Sequence, residues 1–316
     1  MIRLGLCCIF RDQPIAFRRT TAAALGGMEK RERLARLAEL CRHNAHALAE
    51  ALAFCAAHGI GDFRINSQLL PLYTHPQFGY RLAGLPGGAD IEALLAGCGS
   101  FARKHRLRTT LHPDQFVLLN SPSAEVTRSS VEELAYQAEL AELVGADVLT
   151  IHGGGAYGEP TAALNRLRRR IGRLPDAIRR RLALENDDRV FRPADLLPVC
   201  RDTGVPLVYD VHHHRVLPDG LSVEEATRLA LGTWRREPLF HVSSPINGWK
   251  GTDESRHHDV IDPADVPGCW LSLRRTVTVE VEAKAKEVAV LRLRRALARR
   301  GVDIRPALPV KAAAPR

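Results

Sequence analysis

One repeated pattern constrains this chain more than any other feature. Eight short apolar runs recur along it, and most end in a side chain able to ligate a metal. IRLGLCC ends in cysteines, RINSQ leads through Ser67 to His75, RTTLHPDQ carries His112 and Gln115, and VLTIHGGG carries His152. LALEND brings Glu185, PLVYDVHHH brings Asp210 and His213, PLFHVSS brings His241, and TVTVEVEAK brings Glu282. Strands that each deliver an imidazole or carboxylate at the C-terminal end, set in a ring, are how a (β/α)8 barrel assembles an active site. The pattern therefore predicts the α/β class and a single TIM barrel.

Length and alternation agree. The chain has 316 residues, against roughly 250 for such a barrel before insertions. Strands are expected at 2–7, 61–66, 107–111, 147–151, 181–184, 206–210, 238–242 and 276–281. Helical spacing is expected at 29–57, 89–104, 124–143, 161–180, 193–203, 222–231 and 285–299. Alternation of this kind implies a parallel sheet. Three long connections, 8–28, 67–88 and 243–275, fall on the top face, where a barrel keeps its specificity. Residues 1–303 are expected to form one domain, and 304–316 a disordered tail.

Composition narrows the setting. No apolar run reaches the about 20 residues of a membrane span, so no membrane partner is expected. The opening MIRLGLCCIF meets Arg11 and Asp12 too soon for a secretory signal, so the cytoplasm is expected. The seven cysteines, an odd number with no CxxC pair, read as reduced thiols, with Cys7 and Cys8 bordering the site. A net charge of +9 favours a polyanionic partner, chiefly nucleic acid. The arginines between Arg166 and Arg170 and from Arg179 to Arg181 read as a solvated outer helix, away from the catalytic ends.

Glu185, Asp210, His241 and Glu282 end four consecutive strands and suit a divalent cation such as Mn²⁺ or Zn²⁺. Sugar isomerases and epimerases use a similar set for one metal, so the quartet alone leaves the reaction open. His75, His112, His152, His213 and His257 are a surplus that one cation cannot use. Two or three cations can, with Glu185 bridging a pair, and metals about 3.5–4 Å apart suit phosphodiester cleavage. His43, His46, His58 and His105 fall in helical or pre-strand positions and read as structural. His212, His214 and His258 neighbour candidate ligands and read as bystanders or outer support.

The pieces FRINSQLLPLYTHP, LHPDQFVLLNSP, LTIHGGGAYGE, LALENDDR, DVHHH, HVSS, SRHHD and VEAKAKE occur in one order over roughly residues 2–287. In that order they resemble the UV-damage endonuclease family (UvdE/UvsE type), relatives of endonuclease IV among the xylose-isomerase-like barrels. The resemblance implies a manganese-dependent monomer that nicks double-stranded DNA 5′ to a UV photoproduct, with abasic or other lesions also open to it. It implies one metal held by His112, His152 and Glu185. A second would share Glu185 and add Asp210, His241 and Glu282, and a third would lie between His213 and His257. His75, Glu185, His213 and His257 would be catalytic, His75 touching metal or phosphate.

Gln115 and Phe116 match a Gln–Tyr pair that probes the duplex at the lesion, though Phe116 could instead pack in the core. Tyr157, in the glycine-rich stretch from Gly153 to Gly158, and Asn186 would complete the DNA-contacting set, Asn186 also supporting the ligands. Four positions depart from the family pattern: Leu6 and Phe10 stand for Tyr and Asn, and Leu239 and Pro160 for lysines. Two other readings remain: a one-metal sugar isomerase or epimerase, and a nucleic-acid-binding barrel that has lost catalysis.

Overall fold

Strand and helix alternate because the chain is punctuated where each crossover must turn. Gly59 and Gly145 end two long helices in the left-handed conformation (φ 66° and 73°), each just before a strand begins. The structure is a computed structural model that describes residues 1–309. Its strands are β1 (Ile2–Cys7), β2 (Asp62–Ile65), β3 (Arg108–Leu111), β4 (Val148–His152), β5 (Leu182–Glu185), β6 (Leu207–Asp210), β7 (Leu239–Val242) and β8 (Val277–Val281). They close into a parallel barrel in sequence order, β8 pairing back onto β1. The expected TIM barrel is thus present, its strand limits within a residue or so of the expected ones.

The helices are α1 (Ala22–Leu25), α2 (Lys30–His58), α3 (Gly88–Lys104), α4 (Ala124–Val144), α5 (Pro160–Ile171), α6 (Asp176–Arg179), α7 (Pro193–Thr203), α8 (Val211–Val216), α9 (Val223–Gly232), α10 (Gly268–Leu271) and α11 (Lys286–Arg299). The helix expected over 161–180 is two helices. Pro175 has no N–H to continue the ladder, and the chain breaks between Ile171 and Asp176. The short α1, α8 and α10 carry too few residues to show a periodicity.

Strand residues alternate between two environments. The outward set, including Leu4, Leu6, Phe63, Leu111, Leu149, Leu184, Tyr209 and Phe240, joins the helices in the main apolar core. The inward set is divided. Val148, Ala183, Val208 and Leu239 form a small apolar plug with Trp234. Across from it the interior is charged: Arg3, Asp62, Thr110, Thr278 and Glu280 are all buried. Arg3 reaches Glu237 at 2.6 Å and the Arg106 carbonyl at 2.8 Å, closing the bottom. TIM barrels ordinarily fill this space with branched apolar side chains. Here a polar column runs up beneath β8, β1 and β2.

The disordered tail expected from residue 304 does not hold over 304–309. Ile304 bridges to Ile2, the Arg305 N–H donates to the Ile2 carbonyl at 2.7 Å, and Ala307 is buried. His105 donates through Nδ1 to the Leu308 carbonyl at 2.9 Å, a structural role as expected. These backbone bonds dock a segment whose composition had suggested none. Residues 310–316 lie outside the described residues.

Gly5 makes the polar column possible. A Cβ there would collide with the Asp62 carboxylate and come within 3.1 Å of Glu280 Cγ. Gly5→Ala is expected to destabilise the fold by about 1–3 kcal/mol through overpacking, read as a lowered urea midpoint. An unchanged midpoint would show that the column has room to spare.

Candidate metal centre

The top of the barrel gathers the acids and imidazoles that the strand ends deliver. Glu185, fully buried at the end of β5, is the hub. Its Oε2 lies 2.7 Å from His112 Nε2 and 3.9 Å from His152 Nε2. Its Oε1 lies 2.9 Å from His241 Nδ1 and 3.6 Å from His213 Nδ1. Two groups of possible ligands result, His112–His152–Glu185 and Glu185–Asp210–His241, with the ligand atoms of each within 4.8 Å of one another.

Whether these residues suit a cation can be judged from their lone pairs. His112 must donate through Nδ1 to the Pro113 carbonyl, 3.0 Å away, because a carbonyl only accepts. Its Nε2 therefore faces the Glu185 carboxylate as a bare lone pair, unless a proton or a cation lies between them. His213 likewise spends Nδ1 on the Asn186 carbonyl at 3.0 Å, leaving Nε2 to take a proton or a cation. Buried Asp210 Oδ2 and His152 Nδ1 have no hydrogen-bond partner among the described residues. Converging lone pairs and orphaned buried polar atoms are what a divalent ion satisfies, and the imidazole and carboxylate donors suit Mn²⁺ or Zn²⁺.

The electrostatics follow from the same packing. Burial would raise the Glu185 carboxyl, but His241, His152 and His112 hold it well below the usual carboxylate range. Burial would lower His213, yet Asp210 and Glu185 push it up to about 9. His241 is raised well above its ordinary value, Glu185 and Glu282 overcoming its burial. His152 goes the other way, lowered chiefly by burial.

Other expected site residues divide. Glu282 stands at the edge of the second group: its Oε1 is 3.6 Å from His241 Nδ1 but only 2.6 Å from Arg64. His257 Nδ1 lies 3.8 Å from Glu282, and its ring is 6.3 Å from that of His213, so the pair could flank a further ion. His75 is not brought to the carboxylates. Its Nδ1 accepts from the Gln77 and Phe78 N–H groups, both at 3.2 Å, and its ring stacks on Phe78. It lines a separate cavity of about 560 Å³ beside Phe116.

Gln115 lines the metal cleft, of about 370 Å³, with His112, His152 and Glu185. Phe116 is 72% exposed, which removes core packing as its role. Tyr157 is also exposed, with φ 51°. Asn186 is corrected: fully buried, it cannot meet DNA. Its side chain instead brackets the Asp210 backbone, donating to the carbonyl at 2.9 Å and accepting from the N–H at 3.0 Å. It supports the ligands, the other half of what was expected of it.

The four departures lie away from this ring. Leu6 is in the outer core, Phe10 packs on Phe54 and Phe63, Leu239 is in the inner plug, and Pro160 opens α5. Sequence reasoning missed Arg64 and Glu280. Arg64 holds both Glu282 and Glu280, and Glu280 also accepts from Thr110 and lies 3.0 Å from His241 Nε2, out of line for a straight bond. A signal existed: Glu280 is two residues before Glu282 and Arg64 two after Asp62, so period two puts each pair on one face.

Comparison with known proteins gives the chain's family. Residues 2–308 match the family described as UV-endonuclease UvdE. The UV DNA damage endonuclease of Deinococcus radiodurans is 37% identical over 307 residues, covering 92% of this chain and 94% of the relative. The crystal structure of SacUVDE superposes with a TM-score of 0.82 at 28% identity, covering 96% of this chain and all of that one. Endonuclease IV from Thermus thermophilus, at TM-score 0.57 and 19% identity over 80% of this chain and 94% of that one, shares the fold.

A cation bound here would compete with protons for these nitrogens. His213 and His241, raised in the metal-free protein, contribute stability that is present below their unfolded pKa of about 6.5 and lost as pH rises toward 9. Glu185 and Glu282, depressed, contribute stability that is present above the unfolded value of about 4.3 and lost as pH falls. Chelator-treated protein should therefore lose thermal stability between about pH 6.5 and 9, and added Mn²⁺ should restore it most at the alkaline end. A melting temperature independent of pH over that window, with and without metal, would contradict the coupling.

Proposed function

Because the chain belongs to the UV-endonuclease UvdE family, and is a DNA repair endonuclease by that membership, we propose that it is a metal-dependent enzyme that nicks double-stranded DNA on the 5′ side of UV photoproducts. The observation that carries the metal dependence is the sharing of Glu185 between two ligand groups, ringed by four imidazoles. A sugar isomerase or epimerase needs one such group. A barrel that had lost catalysis would have no reason to keep buried lone pairs facing one another. Abasic sites and other distorting lesions are further substrates under this reading.

Two or three bound divalent ions, Mn²⁺ in this proposal, would supply Lewis-acid neutralisation of the phosphate and of its attacking and leaving oxygens. His112, His152 and Glu185 hold one ion. Glu185, Asp210, His241 and Glu282 would hold the second, and His213 and His257 would flank a third. In the reaction, water oxygen bonds to phosphorus and the bond from phosphorus to the 3′ oxygen breaks. Water gives up a proton and the 3′ oxygen gains one. Asn186 keeps Asp210 and His213 in place through its three backbone contacts. Gln115 and Phe116 read the duplex: an exposed aromatic face can enter a base step, and damage lowers the cost of opening it. Tyr157 adds a second exposed ring. His75 serves the DNA beside Phe116 and not the metals. The enzyme acts as a monomer in the cytoplasm, where its seven unpaired thiols stay reduced.

The decisive experiment incubates UV-irradiated, abasic and intact plasmid with the protein and Mn²⁺ and counts nicks. Glu185→Ala is expected to lower nicking of irradiated plasmid by more than about a thousandfold, with bound Mn²⁺ falling from two or three per chain to one or none. Full activity in this variant, or one ion per wild-type chain, would overturn the proposal. Phe116→Ala is expected to keep the metals and lower the preference for irradiated over intact plasmid about tenfold, as loss of a stacking face should. An unchanged preference would remove Phe116 from damage reading.

A further inference from the structure

The arginines of α5 do not all face solvent. Arg166 donates through Nε to the Asn120 carbonyl at 2.8 Å. Arg170 donates through one nitrogen to the Leu119 carbonyl at 2.6 Å and to the Ser121 carbonyl. Two side chains one helical turn apart thus hold three successive carbonyls. Those carbonyls form the base of the β3–α4 loop, whose tip carries Gln115 and Phe116. On its other side the base is tied to α4, the Leu118 N–H donating to Ser130 Oγ at 2.8 Å. The tip has little structure of its own: the Val117 N–H donates to the Asp114 carbonyl at 3.0 Å, and the Phe116 N–H reaches Asp114 Oδ1 only at 3.4 Å.

The same turn joins a second loop. Asn120, fully buried, donates to the Gly155 carbonyl at 2.8 Å, and its Oδ1 sits where a Cβ on Gly154 would be. Tyr157, in that glycine-rich loop, lies 5.8 Å beneath the Arg166 guanidinium. The exposed rings Phe116 and Tyr157 are therefore carried by two loops fastened at one point.

We propose that Arg166 and Arg170 are positioning residues for damage reading, holding the base of the Gln115–Phe116 loop and coupling it to the Tyr157 loop. The inference rests on the reading of Phe116 given above. Water could satisfy the three carbonyls. What a guanidinium adds is direction, because the N–H bonds on each of its nitrogens are fixed in one plane and meet their acceptors at set angles. An aromatic wedge must hold its place against the resistance of a stacked duplex. A loop free to pivot at 119–121 would swing its tip aside, into intact and damaged steps alike.

The test uses the Mn²⁺-loaded protein and four variants: Arg170→Met, Arg170→Lys, Phe116→Ala and the Phe116→Ala/Arg170→Met double. Readouts are the nicking preference for irradiated over intact duplex, amide hydrogen exchange over 114–121, and bound Mn²⁺. Arg170→Met is expected to lower the preference at least about threefold, as loss of a charged hydrogen-bond pair should, and to speed exchange in the loop at unchanged Mn²⁺ content. In the Phe116→Ala background the same change should add nothing, since coupled residues are non-additive. Arg170→Lys keeps the charge but is shorter and lacks the planar N–H pair, is expected to show the same loss, and is read instead if Arg170→Met does not fold. A preference retained in the Arg170 variants but lost in Phe116→Ala overturns the clamp and leaves the reading intact. A loss that simply adds to that of Phe116→Ala also overturns it, by placing Arg170's effect elsewhere. A preference retained in Phe116→Ala overturns the reading and the clamp together.

Discussion

One buried carboxylate facing four imidazoles organises the top of this barrel. Glu185 is fully buried, and an isolated carboxylate in such a place would take up a proton. Here it stays ionised because His112, His152, His213 and His241 converge on it. Those imidazoles come from the residue after β3, from β4, from β7 and from α8, which follows β6 directly, so the closed barrel is what brings them together. The relation is mutual: the acids raise His213 and His241, and the imidazoles lower Glu185. Such a centre is complete only with positive charge, supplied by metal or by protons on its imidazoles.

The barrel beneath is built to tolerate this. A conventional plug of branched side chains fills only the side under β4 to β7. Under β8 and β1 to β3 the space holds Asp62, Thr110, Arg64 and Glu280; Arg64 and Glu280, the latter held by Thr110, brace Glu282 and His241. Asp62 has both oxygens buried without a partner, and burial with Glu280 nearby pushes its carboxyl well up, toward the neutral form. A polar interior of this kind costs stability relative to an apolar one. The compensation lies outside the barrel, in the continuous apolar core between sheet and helices.

The sequence carried the fold and the ring of ligands because both obey one local rule: an apolar run, then a ligand, then a helix. His112, His152, Glu185, Asp210 and His241 were legible for that reason. Residues whose placement depends on loop paths were harder. His75 follows its strand by ten residues, and the intervening loop carries it to a different cavity. Asn186 follows Glu185 directly, but the chain's turn points it into the protein, where it brackets Asp210. Arg64 and Glu280 were hidden because a charge inside a strand suggests an exposed face. Only the barrel's inward face, seen in three dimensions, makes them interior. Arg166 and Arg170 were misjudged in the same way, since a run of arginines on a helix gives no hint of carbonyls from another loop waiting beside it.

The departures from the family pattern follow a spatial order that no linear reading shows. Leu239 is two residues before His241 on the same strand, hence on the same inward face and one layer deeper. Its neighbours there are Val148, Ala183 and Val208, and a lysine among them would be a buried charge without a carboxylate in its cluster. Leu6 points outward into the helix layer, and Phe10 is held between Phe54 and Phe63. Pro160 begins α5, where its missing N–H costs nothing. None of the four touches the ring of Glu185. All four positions lie in the layers that surround the ligands, where packing and not coordination decides which side chain fits.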